Sequence, residues 1–148
     1  MKLSSPPDCP YYLVSRATLA ITSRLRKCLS EKGAGPVKPA YLGVLFCLWE
    51  EDGLQASMLG KRAGLEPSTM TGLLDRMERD GLVERQPDPR DRRACRIYLT
   101  LPGRETREGA RAAVSDALDR SFRGISGEEI ERLKSILKTV LANCSKEG

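Results

Sequence analysis

Residues 54–100 read LQASMLGKRAGLEPSTMTGLLDRMERDGLVERQPDPRDRRACRIYLT, and the order of periodicities inside this stretch decides the fold. Gln55 to Ala63 places Met58, Leu59 and Ala63 at helical spacing, with Lys61 and Arg62 on the other side. Gly64 tolerates the left-handed backbone of a helix end, and Leu65 plugs the turn behind it. Pro67 suits a first helical position, because the N–H it lacks would be unbonded there anyway. A second helix follows with Met70, Leu73, Leu74 and Met77 as its inner stripe, and Gly81 stops it. Beyond Gly81 the period falls to two. Leu82-Val83-Glu84-Arg85 and Cys95-Arg96-Ile97-Tyr98-Leu99-Thr100 alternate apolar and polar, which predicts two strands of a hairpin. Two short helices, a tight turn and a hairpin with a basic tip make a winged helix-turn-helix. Such a head sets one helix in a DNA major groove and a finger in the adjacent minor groove.

Candidate contacts follow from which residues lie off the inner stripe. Ser68, Thr69, Thr71, Gly72 and Arg76 fall on the outer face of the second helix, together with Asp75. Small hydroxyl side chains near a helix start suit close approach to base edges and phosphates. The hairpin tip is Asp88-Pro89-Arg90-Asp91-Arg92-Arg93, and Arg96 follows on the outgoing strand. Arg90, Arg92, Arg93 and Arg96 crowd the tip and the outgoing strand, and the single acid set among them is Asp91. An isolated charge run is usually a solvated face. Its place on a hairpin directly after a helix-turn-helix makes double-stranded DNA the expected partner.

At this point the chain resembles the MarR (multiple antibiotic resistance regulator) family of bacterial transcription factors. The resemblance rests on Leu65-Glu66-Pro67-Ser68-Thr69-Met70-Thr71 and on Leu74-Asp75-Arg76-Met77-Glu78-Arg79-Asp80-Gly81-Leu82-Val83-Glu84-Arg85. It continues through Asp88-Pro89-Arg90-Asp91-Arg92-Arg93 and Ile97-Tyr98-Leu99-Thr100. It implies that Asp91 orients Arg93 for the minor groove. The chain departs from the family where Gly72 replaces an often basic residue, and where Glu66 replaces a small N-cap residue. Glu66 favours the helix dipole but caps poorly, so the base preference does not carry over.

Length and composition narrow the class. A chain of 148 residues fits a single domain, residues 1–148, with a winged-helix lobe at about 39–100. No run of about twenty apolar residues predicts a membrane span, and no basic start leads into an apolar block. A cytoplasmic protein without a membrane partner is expected. Five cysteines without a C-x-x-C pair argue against a disulfide framework and a structural zinc site. Histidine is absent, which removes the commonest metal ligand and general base. No catalytic residue, metal or cofactor is therefore expected, and an enzyme is disfavoured. The net charge of +5 suits a polyanion. Its distribution matters more: residues 1–38 hold 7 basic and 2 acidic groups, whereas 61–96 hold 9 and 7. Local arrangement in the head, not bulk charge, carries the DNA expectation.

Helices flank the head on both sides, at about 11–33 and 102–144. Tyr11 to Lys32 carries Leu13, Ala17, Ile21, Leu25, Cys28 and Leu29 on one stripe. Pro39 to Glu51 is nearly all apolar and predicts a central helix, while Pro102 to Arg123 carries Ala110, Ala113, Val114, Ala117, Leu118 and Phe122. Ser126 and Glu129 form a capping box that opens a last helix with Ile130, Leu133, Ile136, Leu137, Val140 and Leu141. The resemblance implies a homodimer in which first and last helices interlock about a two-fold axis, matching a palindromic operator. The fold class is mainly α, with dimerisation helices and a small β-hairpin wing.

Three control schemes are open to such a chain. The resemblance implies a small aromatic effector, with Arg16 and Tyr41 as polar contacts in an apolar cleft. One branch of the family senses organic hydroperoxides through a cysteine at the start of the first helix, hydrogen-bonded by two tyrosines, and Cys9 falls near that place. Ser23 and Lys38 stand at the two tyrosine positions, which disfavours that scheme. Cys28, Cys47 and Cys144 fall on apolar stripes as small hydrophobes. A winged-helix interaction module that does not bind DNA is the remaining alternative, and the wing arginines count against it.

Overall fold

The computed structural model describes residues 6–146. In chain order these form α1 (Pro10–Glu31), α2 (Leu42–Glu50), β1 (Leu54–Gln55), α3 (Ala56–Ala63), α4 (Pro67–Arg79), β2 (Val83–Pro87) and β3 (Cys95–Leu99). Three more helices follow: α5 (Leu101–Glu105), α6 (Arg107–Ser121) and α7 (Gly127–Lys146). Most ends sit where local chemistry puts them. Gly64 at φ 70° ends α3, Pro67 starts α4, and Gly81 at φ 78° turns the chain into β2. No helix among the described residues is long and apolar enough to cross a membrane.

The hairpin expected from the alternating pattern is the larger part of a three-stranded antiparallel sheet in the order β1-β3-β2. Val83 pairs with Leu99 and Arg85 with Ile97, and this register turns Val83, Ile97 and Leu99 inward. The extra strand is β1, where Leu54 pairs with Ile97 and Gln55 with Arg96. Periodicity alone assigns Gln55 to the first helix of the head. It is instead the N-cap of α3, in extended backbone.

Packing divides the chain into two compact units, one ending at Ala117 and one beginning at Leu118. The core of the first gathers Leu29, Tyr41, Val44, Leu45, Leu48, Leu59, Met77, Leu82 and Ile97, all essentially inaccessible. The central apolar segment opens as a short 3-10 turn, Pro39–Tyr41, before α2 becomes regular. Met58, expected on the inner stripe, is 45% exposed, because Leu59 and Gly60 take the buried face of the short α3. The helix expected from Pro102 to Arg123 is broken at Thr106. Thr100 caps α5 by accepting the Gly103 N–H at 3.1 Å, and the Thr106 hydroxyl donates back to the Gly103 carbonyl at 2.9 Å. A Cβ at Gly103 would run into the Leu82 carbonyl, so only glycine lets α5 lie directly on the chain entering β2.

In the second unit the capping box forms as its spacing predicts. The Ser126 N–H donates to Glu129 Oε2 at 2.8 Å, and the Glu129 N–H to Ser126 Oγ at 3.3 Å. Phe122, Ile125, Ile130, Leu133 and Leu137 surround one apolar depression. Two apolar surfaces stay uncovered within the single chain. One is the first half of α1, where Tyr11, Leu13, Val14 and Leu19 are each more than half exposed. The other runs along α7 through Ile136, Val140 and Leu141.

Candidate nucleic-acid interface

The head presents α4 and the hairpin tip. The buried side of α4 is the expected stripe of Met70, Leu73, Leu74 and Met77, none more than 4% exposed. Opposite it, Ser68, Thr69, Thr71 and Arg76 are exposed and Gly72 is half-buried. The Thr71 hydroxyl donates to the Pro67 carbonyl at 3.2 Å. The Arg76 guanidinium lies along the helix face past Gly72, 3.6 Å from where a Gly72 Cβ would stand, an ordinary contact distance. Glu66 precedes the helix without a side-chain capping bond, in keeping with its poor capping chemistry.

Two acids on α4 would repel a polyanion, and Arg85 of β2 takes up both. Its Nη2 reaches Asp75 at 2.7 Å, its Nη1 reaches Glu78 at 3.0 Å, and its N–H donates to Glu78 at 3.2 Å. One arginine thus bridges both acids, offsetting half of their charge, and fastens α4 to the sheet. The other end of α4 is held by its C-cap, Asp80. A carboxylate at a helix C-terminus opposes the dipole. Here Tyr41 donates to it at 2.6 Å, with Lys38 and Arg79 each 3.5 Å away. The Tyr41 bond lowers the Asp80 pKa, while burial and that same bond raise the tyrosine's.

The tip of the hairpin is organised from below. The Asp88 side chain is inaccessible to solvent. Its Oδ1 accepts the Arg90 and Asp91 N–H groups at 2.8 and 3.3 Å, and its Oδ2 accepts Gln55 Nε2 at 2.8 Å and Arg96 Nε at 2.9 Å. The bonds from Gln55 and from the Arg90 backbone, with the Arg96 guanidinium alongside, hold the Asp88 carboxyl down to about 2. A depressed carboxylate stabilises the folded state above the ordinary value of 3.8, and that contribution disappears as pH falls towards 2. Arg96 also donates to the Gly53 carbonyl at 2.8 Å, so it is a strut beneath the tip and not one of its free cations. Asp91, expected to orient Arg93, accepts the Arg93 backbone N–H at 3.0 Å. Arg90, Asp91, Arg92 and Arg93 are all exposed, and none of the three guanidinium groups pairs with an acid among the described residues.

The remaining candidates divide. Arg16 is exposed on α1. Tyr41, expected to offer its hydroxyl to a cleft beside Arg16, is fully buried and spends that hydroxyl on Asp80. A cavity of about 650 Å³ lies instead beneath α4, bounded by Gly60, Leu65, Met70, Leu74, Arg85 and Cys95. Cys9 is the half-buried N-cap of α1. Cys28 is in the core as expected, 3.6 Å from an Asp116 oxygen, whereas Cys144 is exposed. Ligand atoms of Cys28, Glu31 and Asp116 lie within 4.8 Å of one another, and Glu31 also faces Lys27 at 3.9 Å. Sequence reasoning misses Gln55, Arg85 and Asp88. Only Asp88 carries a local signal, since Asp before Pro favours a turn closed on its own side chain.

Comparison with known proteins agrees with this geometry. Residues 39–95 match the model of the MarR family. The chain is 37% identical over 103 residues to the organic hydroperoxide resistance transcriptional regulator of Bacillus subtilis (strain 168), covering 70% of this chain and 68% of that one. Its fold superposes on CouR from Rhodococcus jostii RHA1 bound to p-coumaroyl-CoA with a TM-score of 0.75 and 27% identity, over 93% of this chain and 95% of that one. CouR bound to a 23-mer DNA duplex gives a TM-score of 0.79 and 25% identity, over 95% and 98% of the two chains. With its helix-turn-helix, its basic hairpin and these relatives, the chain belongs to the MarR family.

Proposed function

We propose that the protein is a dimeric transcriptional repressor that binds a palindromic operator and is released from it by a small aromatic effector. It acts in the cytoplasm on double-stranded DNA and carries out no catalytic step. The observation that carries this reading is the sorting of charge on the head. Asp75 and Glu78 of α4 are paired with Arg85 and the buried Asp88 with Arg96, while Arg76, Arg90, Arg92 and Arg93 stand exposed. Ser68, Thr69, Thr71, Gly72 and Arg76 then face the major groove. Arg93, set by Asp91, enters the minor groove, and Arg90 and Arg92 meet phosphates. The two uncovered apolar surfaces on α1 and α7 support a second copy as partner.

For the effector, Arg16 is the cation on offer to an acidic aromatic ligand. The relative CouR, which has been seen with both p-coumaroyl-CoA and DNA, makes paired binding a sound expectation. Footprinting on DNA selected by the chain from a random pool should show two half-sites with centres about one helical turn apart. An aromatic acid that binds the free protein should lower operator affinity by the factor by which DNA lowers its own. A single half-site footprint, or a ligand without this reciprocity, would count against the reading.

Redox control is a second reading, favoured by the position of Cys9 as the N-cap of α1 and by the hydroperoxide-related name of one relative. Tyr11 and Tyr12 stand beside it but stack edge to face on each other at 5.5 Å, and Lys38 is engaged by Asp80. Cys9→Ser is therefore expected to leave DNA binding and its regulation intact. Peroxide-triggered dissociation of the unmodified protein that vanishes in Cys9→Ser would reverse the choice.

A further inference from the structure

We propose that Asp88 is the positioning residue of the wing, joining the tip backbone, β3 and the start of α3 so that the arginines reach DNA in a preformed geometry. The proposal rests on the wing being a DNA contact, as argued above. Three separate pieces of chain meet on this one carboxylate. The Arg90 and Asp91 N–H groups belong to the tip, Arg96 belongs to β3, and Gln55 is the N-cap of α3. The Asp88 N–H in turn donates to the Ala94 carbonyl at 3.1 Å, and the Ala94 N–H to the Asp91 carbonyl at 3.1 Å, closing the loop from both sides.

The chemistry of these bonds asks for a carboxylate. All four groups that surround Asp88 are donors, and an ionised acid is the one short side chain that accepts on both oxygens. An asparagine would keep the shape but turn an N–H₂ towards either two backbone N–H groups or the pair Gln55 and Arg96, where a flipped Gln55 amide accepts it but Arg96 loses its acceptor and faces a donor. A buried donor facing donors is unsatisfied, so the tip would open. An open tip must then be ordered on DNA, and that ordering subtracts from affinity. Because Gln55 begins α3, the same carboxylate fixes where the wing stands relative to the helix-turn-helix. Asp88 touches no DNA in this scheme; it acts through Arg90 to Arg93.

The test compares Asp88→Asn, the triple variant Arg90→Ala/Arg92→Ala/Arg93→Ala, and the two combined, by binding of a duplex selected by the unmodified chain. Asp88→Asn should weaken binding about ten-fold or more with a near-unchanged salt slope, since no phosphate ligand is deleted. Hydrogen exchange at the Arg90 and Asp91 amides should accelerate while the thermal transition of the whole chain persists. The decisive readout is coupling: in the triple background Asp88→Asn should cost nothing further. Full affinity in Asp88→Asn, with a loss in the triple variant, would overturn the positioning role and leave the wing's role on DNA standing. No loss in the triple variant would overturn that role and this proposal together. Should Asp88→Asn not fold, Gln55→Met removes one donor from the same oxygen. A loss of about three-fold or more would then support the proposal, and unchanged affinity would overturn it.

Discussion

Leu137→Glu is expected to abolish the folded dimer and, with it, operator binding at any accessible concentration. The residue lies on α7 in register with Ile136, Val140 and Leu141, which are 52%, 50% and 67% exposed in the isolated chain. So much apolar surface on one helix face is rare in a chain that works alone. Covered by a second copy, the new carboxylate would be buried and unpaired, at a cost of about 3–5 kcal/mol per subunit. Two-fold symmetry imposes it twice. Lys138→Glu, on the exposed polar side of the same helix, serves as the control and should sediment like the unmodified chain. Sedimentation of the unmodified chain as a folded monomer at micromolar concentration would contradict the expectation. So would a Leu137→Glu variant that remains a dimer.

The parts of the fold legible in the sequence are those fixed within a few residues. Gly64, Pro67, Gly81 and the Ser126–Glu129 box each act on the turn in which they sit, and each ends or begins a helix where its chemistry predicts. The strands β2 and β3 are long enough for their period to show. A strand of two residues has no period, which is why β1 stays hidden and Gln55 reads as helical. The site divides in the same way. Exposure of Ser68, Thr69, Thr71 and Arg76 follows from helical geometry once the inner stripe is known. Asp88, by contrast, draws its partners from 33 positions upstream and 8 downstream, and no local pattern announces either pairing. Arg96 reads as one more tip cation for the same reason, and Tyr41 reads as a cleft residue because its partner Asp80 is 39 residues away. Periodicity reports which face is buried; it is silent on which polar groups meet there.

Replacing Arg90, Arg92 and Arg93 together with alanine is expected to leave the dimer folded and to remove most operator affinity. All three are exposed, and none carries an ion pair among the described residues that the fold would miss. Removing a specific minor-groove ligand, Arg93, should cost about 1–3 kcal/mol, hence roughly 2–6 kcal/mol for the two wings of a dimer. Arg90 and Arg92, as phosphate ligands, give a different signature. Deleting one phosphate ligand should flatten the slope of log K against log salt by about 0.9, so two per wing amount to roughly 4 units. Arg93→Ala alone should therefore relax sequence preference, whereas Arg90→Ala or Arg92→Ala alone should weaken all duplexes alike. The acids behind the wing sharpen the comparison, because Asp75, Glu78 and Asp88 stay paired with Arg85 and Arg96 in every one of these variants. A fall in affinity then reports the loss of the three arginines, with Asp91 the one tip acid uncovered, and not the release of these three paired acids. Unchanged affinity and an unchanged salt slope in the triple variant would leave the head without its basic finger and favour an interaction module that does not bind DNA.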